Sequence, residues 1–424
     1  MIYRYIFTLL AGSTMFLVGA GLLNTLIGLL AGERGFSSLE AGLIMSAYFL
    51  GYLMGIRFLP SLVGRVGHIR AFTCFAASIS AIIILHGVFD SPLAWGLFRL
   101  LAGVCVVGFF LVMESWLNVV TTNRERGGVF STYAMLNLMA IGVGQVLLMY
   151  ARDAGPALFA WAAFFTVMAI IPVAVTYVEE PIRGDGSSAY GVASLWANVP
   201  LALAGILASG LTTGSFWGMA PFYLQRIGYD SGAVAFIMCA TIFGASLLQW
   251  PIGRFSDRFD RRLFISGASV TAGALAIIVG LVGQTTNTYF LAVGFVYGGA
   301  SFCLYGLCVA HANDYIAAEH RLSAARSLIN MFAWGALGGP FFAGLSMTAL
   351  GPAGLLWYFS LVFAMLAGYS IYRINIRLPA PEEEKSRFFP MVETSHAALE
   401  LDPRLNEDSQ QAVAVEPRVE DSPA

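Results

Sequence analysis

The chain repeats itself at one constant offset. Gly35, Phe36, Ser38, Ile44 and Gly51 recur as Gly228, Tyr229, Ser231, Ile237 and Gly244, and the same offset carries Arg65 onto Arg258, Asn137 onto Asn330 and Gly142 onto Gly335. This duplication lies in a sequence that is 58% hydrophobic and only 11% charged. A water-soluble chain carries about a quarter charged residues, so this one lacks the polarity to cover a surface facing water. Its solvent must be lipid. Two pseudo-equivalent apolar halves are the sequence mark of secondary transporters, whose substrate site lies between the repeats near the bilayer midplane.

Twelve apolar runs are long enough to cross a bilayer: 5–31, 40–62, 71–89, 93–120, 129–150 and 156–178, then 199–225, 231–253, 263–283, 287–312, 325–349 and 352–375. The expectation is an all-α membrane protein, with twelve transmembrane helices in two pseudo-symmetric six-helix bundles at residues 1–178 and 199–376. A flexible linker, 179–198, joins them through Pro181, Gly184, Asp185, Gly186, Ser187 and Ser188, and a Pro-, Glu- and Ser-rich tail over 377–424 reads as disordered. Glycines at helical spacing, Gly210, Gly214 and Gly218, Gly294 and Gly298, and Gly335 and Gly339, mark expected seams, because close approach of helices in lipid depends on small residues.

Positive residues are retained on the cytoplasmic side during insertion. Arg65, Arg70, Arg124, Arg126, Arg183, Arg254, Arg258, Arg261, Arg262, Arg321 and Arg326 fall in alternate loops, whereas the opposite loops hold Arg34, Arg152 and Arg226. Both termini are therefore expected in the cytoplasm, and an even number of spans, which puts the two termini on one side, agrees with that. Within a bacterial chain the membrane would be the cytoplasmic, inner one.

Several functions are excluded. A formal charge of −2 offers nucleic acid no basic surface. The five cysteines, Cys74, Cys105, Cys239, Cys303 and Cys308, lie in apolar runs without metal-type spacing and read as packing. No H-E-x-x-H, G-x-S-x-G or G-x-x-x-x-G-K-[ST] occurs, so neither an enzyme, a metal, a cofactor nor ATP is indicated. Uphill transport would have to draw on an ion gradient.

Polar residues at membrane depth are the candidates for chemistry. Arg99 sits too far inside its span to snorkel, so its burial costs at least about 2.5 kcal/mol unless it is paired or wet. Glu114 and Asn118 share a helix face at i,i+4 spacing. At 1.5 Å per residue Glu114 lies about 22 Å along the axis from Arg99, so each must find its partner on another helix. In the second half His311 and Asp314 share a face, beside Asn313. A carboxylate or imidazole that changes protonation as a cavity opens is the minimum equipment for proton coupling. Arg99, Glu114, His311 and Asp314 are thus the coupling candidates, and solvation at a helix end is the competing reading for Glu114 and Asp314. Asn24, Asn118, Asn137, Gln145, Asn313 and Asn330 are the candidate cavity amides. Asn137 and Asn330, equivalent in the repeat, are expected to face each other, and bonding a substrate or a neighbouring helix are both open to them. Arg57, near the cytoplasmic end of its span, reads as snorkelling to the interface, and His86 and the stripe Phe216, Trp217, Phe222 and Tyr223 read as lipid-facing or packed.

The stretch Gly253-Arg254-Phe255-Ser256-Asp257-Arg258-Phe259-Asp260-Arg261-Arg262 resembles the G-x-x-x-D-R-x-G-R-R signature of the major facilitator superfamily, with Asp260 in place of the usual glycine. The equivalent stretch of the first half keeps Arg65 but has Gly64 in place of the acid. Arg99 and Gly103 resemble the R-x-x-x-G element of the fourth helix, without its glutamine, and imply proton coupling. The resemblance also implies a cytoplasmic gate at Arg65, Asp257, Arg258, Arg261 and Arg262. Glu114 to Asn118, Gly67-His68-Ile69-Arg70, His311-Ala312-Asn313-Asp314 and Leu399-Glu400-Leu401-Asp402-Pro403-Arg404 are similar to the YcaD-like subgroup of bacterial transporters. The superfamily resemblance implies an alternating-access carrier of a small molecule, expected to be a monomer coupled to protons, and the YcaD-like subgroup adds no substrate. The alternative is a membrane sensor or scaffold that keeps the fold without transporting. Gly64 favours the alternative, and the cost of Arg99, Glu114 and Asn137 at depth argues against it.

Overall fold

The computed structural model describes residues 2–121, 125–150, 157–174, 191–282, 287–376 and 388. Among these, twelve helices are long and apolar enough to cross a membrane. The first half comprises α1 (Ile2–Glu33), α2 (Ser38–Val66), α3 (His68–Val88), α4 (Pro92–Val120), α5 (Arg126–Tyr150), α6 (Ala157–Met168) and α7 (Ile170–Ala174). A turn at Ala169 is all that separates α6 from α7, which together make one span. The second half comprises α9 (Pro200–Arg226), α10 (Ser231–Ser256), α11 (Arg261–Val282), α12 (Asn287–Asn313), α13 (Ala318–Leu350) and α14 (Gly354–Ile376). Between the halves lies a short α8 (Val192–Asn198), so the end of the expected flexible linker is helical, with Leu195 fully buried. Residues 179–190 and the tail, apart from Phe388, lie outside the described residues.

The sequence repeat has a local cause. Gly35 and Gly228, equivalent in the two halves, both adopt positive φ, +76° and +95°, where a Cβ would be strained. Two residues later Ser37 and Asp230 cap α2 and α10. The Ser37 hydroxyl accepts from the Glu40 N–H at 3.2 Å while Glu40 accepts from the Ser37 N–H at 2.8 Å, and Asp230 accepts from the Ala233 N–H at 2.7 Å. Each cap contributes about 0.5–2 kcal/mol to starting its helix.

Packing repeats as well. Within the first bundle a methyl on Gly51 would overlap the Leu100 carbonyl, and one on Gly103 the Tyr48 carbonyl, so α2 and α4 touch backbone to backbone. Gly244 against Phe295 and Gly298 against Thr241 form the same reciprocal clasp between α10 and α12. The expected seams at Gly210, Gly335 and Gly339 are present between α9 and α13, where backbone carbonyls of Phe332, Leu207 and Leu211 fill the space a side chain would need. Lipid supplies no hydrophobic drive, so such van der Waals contact is what holds the helices together.

The bundles meet through α1, α2 and α5 on one side and α9, α10 and α13 on the other. At the end carrying the α1–α2 turn the seam is tight. Gly28 lies against Gly218 and Pro221, Gly32 against Gln225, and Gly42 against Pro340 and Gly344. The Arg226 guanidinium, in the second half, donates to the Phe36 carbonyl in the first.

Candidate functional site

Between the bundles lies a cavity of about 130 Å³, walled by α1 to α5 and by α9, α10 and α12. Most of its wall is apolar, and among the described residues Arg99 is the only charged one lining it. Arg99 is 4% exposed. Its Nη1 donates to Asn24 Oδ1 at 3.0 Å, and its guanidinium lies over the Tyr48 ring, 4.4 Å from the centroid. The expectation that Arg99 finds its partners on other helices holds: Asn24 comes from α1 and Tyr48 from α2.

Asn137 lines the same cavity and is 1% exposed. The Tyr133 hydroxyl is close enough to interact with it, yet neither amide atom of Asn137 has hydrogen-bond geometry with any partner. Asn330, its counterpart in the repeat, is half-buried on α13 and does not line the cavity. Gln145 turns away, donating to the Gly21 carbonyl at 3.0 Å and so tying α5 to α1. Asn118, near the end of α4, and Asn313, the last residue of α12, are half-buried and lie outside the cavity lining. Trp217, read from sequence as packed, lines the cavity and meets Phe302 edge-on at 5.5 Å. His86 packs among Trp95, Phe98 and Phe159, with its Nδ1 2.8 Å from the Ile82 carbonyl oxygen. Arg57 is exposed.

The coupling candidates fall in three places. Arg99 is in the cavity. Glu114, 4% exposed, lies within electrostatic range of Tyr52 and Tyr133, and Tyr52 in turn of Tyr48 and Tyr305. This tyrosine cluster draws on α2, α5 and α12, so it spans both bundles. Sequence reasoning missed it, because buried tyrosines inside apolar runs carry no periodic signal. His311 and Asp314 belong to a third group, at the end of the second bundle remote from the α1–α2 turn.

In that group Arg261 bridges two carboxylates. Its Nε is 2.8 Å from Asp314 Oδ2 and its Nη1 2.9 Å from Asp257 Oδ1, and Nη1 also donates to Ser256 Oγ at 3.1 Å. Asp314 is therefore buried in an ion pair, not solvated. Asp260, standing where the family signature has glycine, holds Arg262 through two of its nitrogens at 2.6 to 3.0 Å, and Arg262 donates to the Arg373 carbonyl at the end of α14. Burial pushes the Asp260 carboxyl up, but the hydrogen bonds from Arg262 outweigh it and hold the group below the usual aspartate range. His311 packs edge-on against Tyr315 at 5.2 Å and faces this pair. Asp257 also accepts from the Phe388 N–H at 3.0 Å, and the Phe388 ring lies against Gly253 and Gly306. Arg65 and Arg258 are exposed.

Two helical bundles clasped around a central, mostly apolar cavity with a buried cation define a transporter fold. A sequence profile of the Major Facilitator Superfamily matches residues 9–245 and again 201–405, and the chain belongs to that superfamily. It is similar to the uncharacterised MFS-type transporter YcaD of Escherichia coli O6:H1, strain CFT073, and to that of Shigella flexneri, each 27% identical over 373 residues, covering 87% of this chain and 93% of the relative. Among solved structures it resembles a mutant of the nucleoside transporter NupG (TM-score 0.75, 13% identity, 87% of this chain and 100% of that one). It also resembles a bacterial homolog of the human lysosomal transporter Spinster in an inward-facing, occupied conformation (TM-score 0.68, 14% identity, 90% and 97%). The protein is a multi-pass membrane transporter.

Proposed function

We propose that the chain carries a small molecule across the cytoplasmic membrane by alternating access, as a monomer, driven by protons. The observation that carries this reading is Arg99, a buried guanidinium in a cavity between two bundles whose contacts are glycine-lined and able to slide. A protein that did not bind something there would gain nothing from the cost of placing a charge at that depth. The bias of arginines to alternate loops supports cytoplasmic termini. In that orientation the tight seam of Gly28, Gly42 and Gly218 closes the outer side.

Glu114 is the preferred proton carrier, since Asp314 is occupied by Arg261. The cluster of Asp257, Arg261 and Asp314 supports a latch within the second bundle. Arg65 and Arg258, both exposed, are the gate residues left to reach across when the cytoplasmic side closes. The test is uptake of a library of small molecules into proteoliposomes with and without an imposed pH gradient. Accumulation of at least one compound only with the gradient is expected. If nothing accumulates and nothing exchanges at equilibrium, the sensor or scaffold reading, which Gly64 favours, replaces this one.

A further inference from the structure

We propose that the substrate is a small organic monoanion, an apolar body bearing one carboxylate, with Arg99 as its counter-ion. The inference rests on the transporter reading of the cavity and adds the chemical class of its cargo.

Arginine stays protonated in a protein and offers five N–H donors. In the cavity one of them is used on the neutral Asn24, and Nε has no hydrogen-bond partner. Among the described residues no carboxylate forms an ion pair with Arg99. Glu114 is out of reach along the same helix, and Asp314 is spent on Arg261. The Tyr48 ring offsets part of the charge, but less than a desolvated guanidinium demands. The site is one negative charge short. A carboxylate matches the planar fork of the guanidinium and can bond two of its nitrogens at once.

The remaining walls decide the rest of the molecule. Leu17, Ile79, Val106, Phe110, Trp217 and Phe302 are apolar and line the same space. A dianion would bring a second charge with no partner, and a cation would be repelled. Asn137, which the Tyr133 hydroxyl approaches without hydrogen-bond geometry, can bond one further polar group. A cavity of about 130 Å³ is close to the roughly 150 Å³ that accepts a benzene ring, so the body is about six carbons in size.

The probes are benzoate and hexanoate, set against benzamide, benzyl alcohol and benzylamine, with binding to the purified protein measured by calorimetry. Benzoate or hexanoate is expected to bind at least about tenfold more tightly than benzamide, and benzylamine not at all. Arg99→Gln should erase the preference for the acid, and Arg99→Lys, which keeps charge but loses the fork, should retain part of it. The inference falls if neither acid binds, if benzamide or benzylamine binds as tightly as benzoate, or if a monodisperse Arg99→Gln protein keeps its preference. Should Arg99→Gln fail to fold, the wild-type panel alone decides. Counterflow of labelled benzoate tests transport separately: an acid that binds but does not exchange across the membrane leaves the site assigned and overturns the carrier reading.

Discussion

Arg261 Nε lies 2.8 Å from Asp314 Oδ2, and the two side chains are 1% and 3% exposed. The pair ties the first residue of α11 to the residue after the end of α12. A buried pair contributes little over an apolar one of equal volume, but breaking it strands a charge, at a cost of about 3–5 kcal/mol. Asp314→Ala should therefore lower the thermal midpoint in detergent sharply. The double change Arg261→Met with Asp314→Leu should recover most of the loss. Asp257, whose side chain is 26% exposed, should cost about 1 kcal/mol or less when changed to Asn. Equal losses for Asp257→Asn and Asp314→Ala would refute the burial argument.

The Asp260 carboxyl is held below its ordinary pKa of about 3.9 by the hydrogen bonds from Arg262, which overcome the effect of burial. A carboxylate depressed in the folded state adds stability above the unfolded pKa and loses it as pH falls through the folded one. Wild-type protein should therefore lose stability below about pH 4 more steeply than Asp260→Asn does. Thermal unfolding followed from pH 7 down to pH 3 checks this, and parallel curves would remove the Asp260 contribution.

Phe388 places its backbone N–H on the Asp257 carboxylate and its ring against Gly253 and Gly306. The Phe388 amide should exchange slowly with deuterium in the wild type. It should exchange quickly in Gly253→Ala, where a methyl would overlap the ring, and at an intermediate rate in Asp257→Asn. Fast exchange in all three would mean that this contact does not persist in solution.

Two kinds of glycine contact predict opposite behaviour. A methyl on Gly42 overlaps the Pro340 carbonyl across the bundle interface, whereas one on Gly103 overlaps the Tyr48 carbonyl inside the first bundle. If the bundles rock, Gly42→Ala should be relieved by opening the α1–α2 end. Gly103→Ala has no such escape and should instead destabilise. Double electron-electron resonance between nitroxides at Glu33→Cys and Leu350→Cys, with the native cysteines removed, should show longer distances for Gly42→Ala alone. Unchanged distances for Gly42→Ala would argue against a closed seam that opens.

The fold was legible because lipid leaves so few options: runs of apolar residues, small residues at seams and arginines at alternate loops each carry one local physical cause. Arg99 stood out for the same reason, since a charge at depth has no local excuse. What the sequence hid was long-range. Arg261 and Asp314 look like separate surface charges until the helix ends come together, and the tyrosines around Glu114 count as apolar in any hydropathy pattern. Asn137 and Asn330 are equivalent in the repeat, yet only Asn137 lines the cavity. Phe388 was unreadable, as two phenylalanines, Phe388 and Phe389, after a charged stretch announce no docking site.

Glu114 carries the last prediction. It is a carboxyl at membrane depth, 4% exposed, within electrostatic range of Tyr52 and Tyr133 of its own bundle, and Tyr52 in turn interacts with Tyr305 of the other, so a movement of one bundle against the other reaches it through Tyr52. A group in that position can hold a proton in one conformation and release it in the other. Glu114→Gln keeps the volume and most of the hydrogen bonding but cannot ionise. With the substrate found by the uptake screen, the variant should lose accumulation driven by a pH gradient and retain equilibrium counterflow, because the bundles still rock without a proton to carry. Tyr133→Phe, which removes a neighbouring hydroxyl without touching the carboxyl, should shift the pH at which wild-type uptake is half-maximal while leaving accumulation intact. A Glu114→Gln protein that concentrates substrate at the wild-type rate would clear Glu114 of the role. It would leave His311, beside Asp260 and Arg262, as the titratable group to test next.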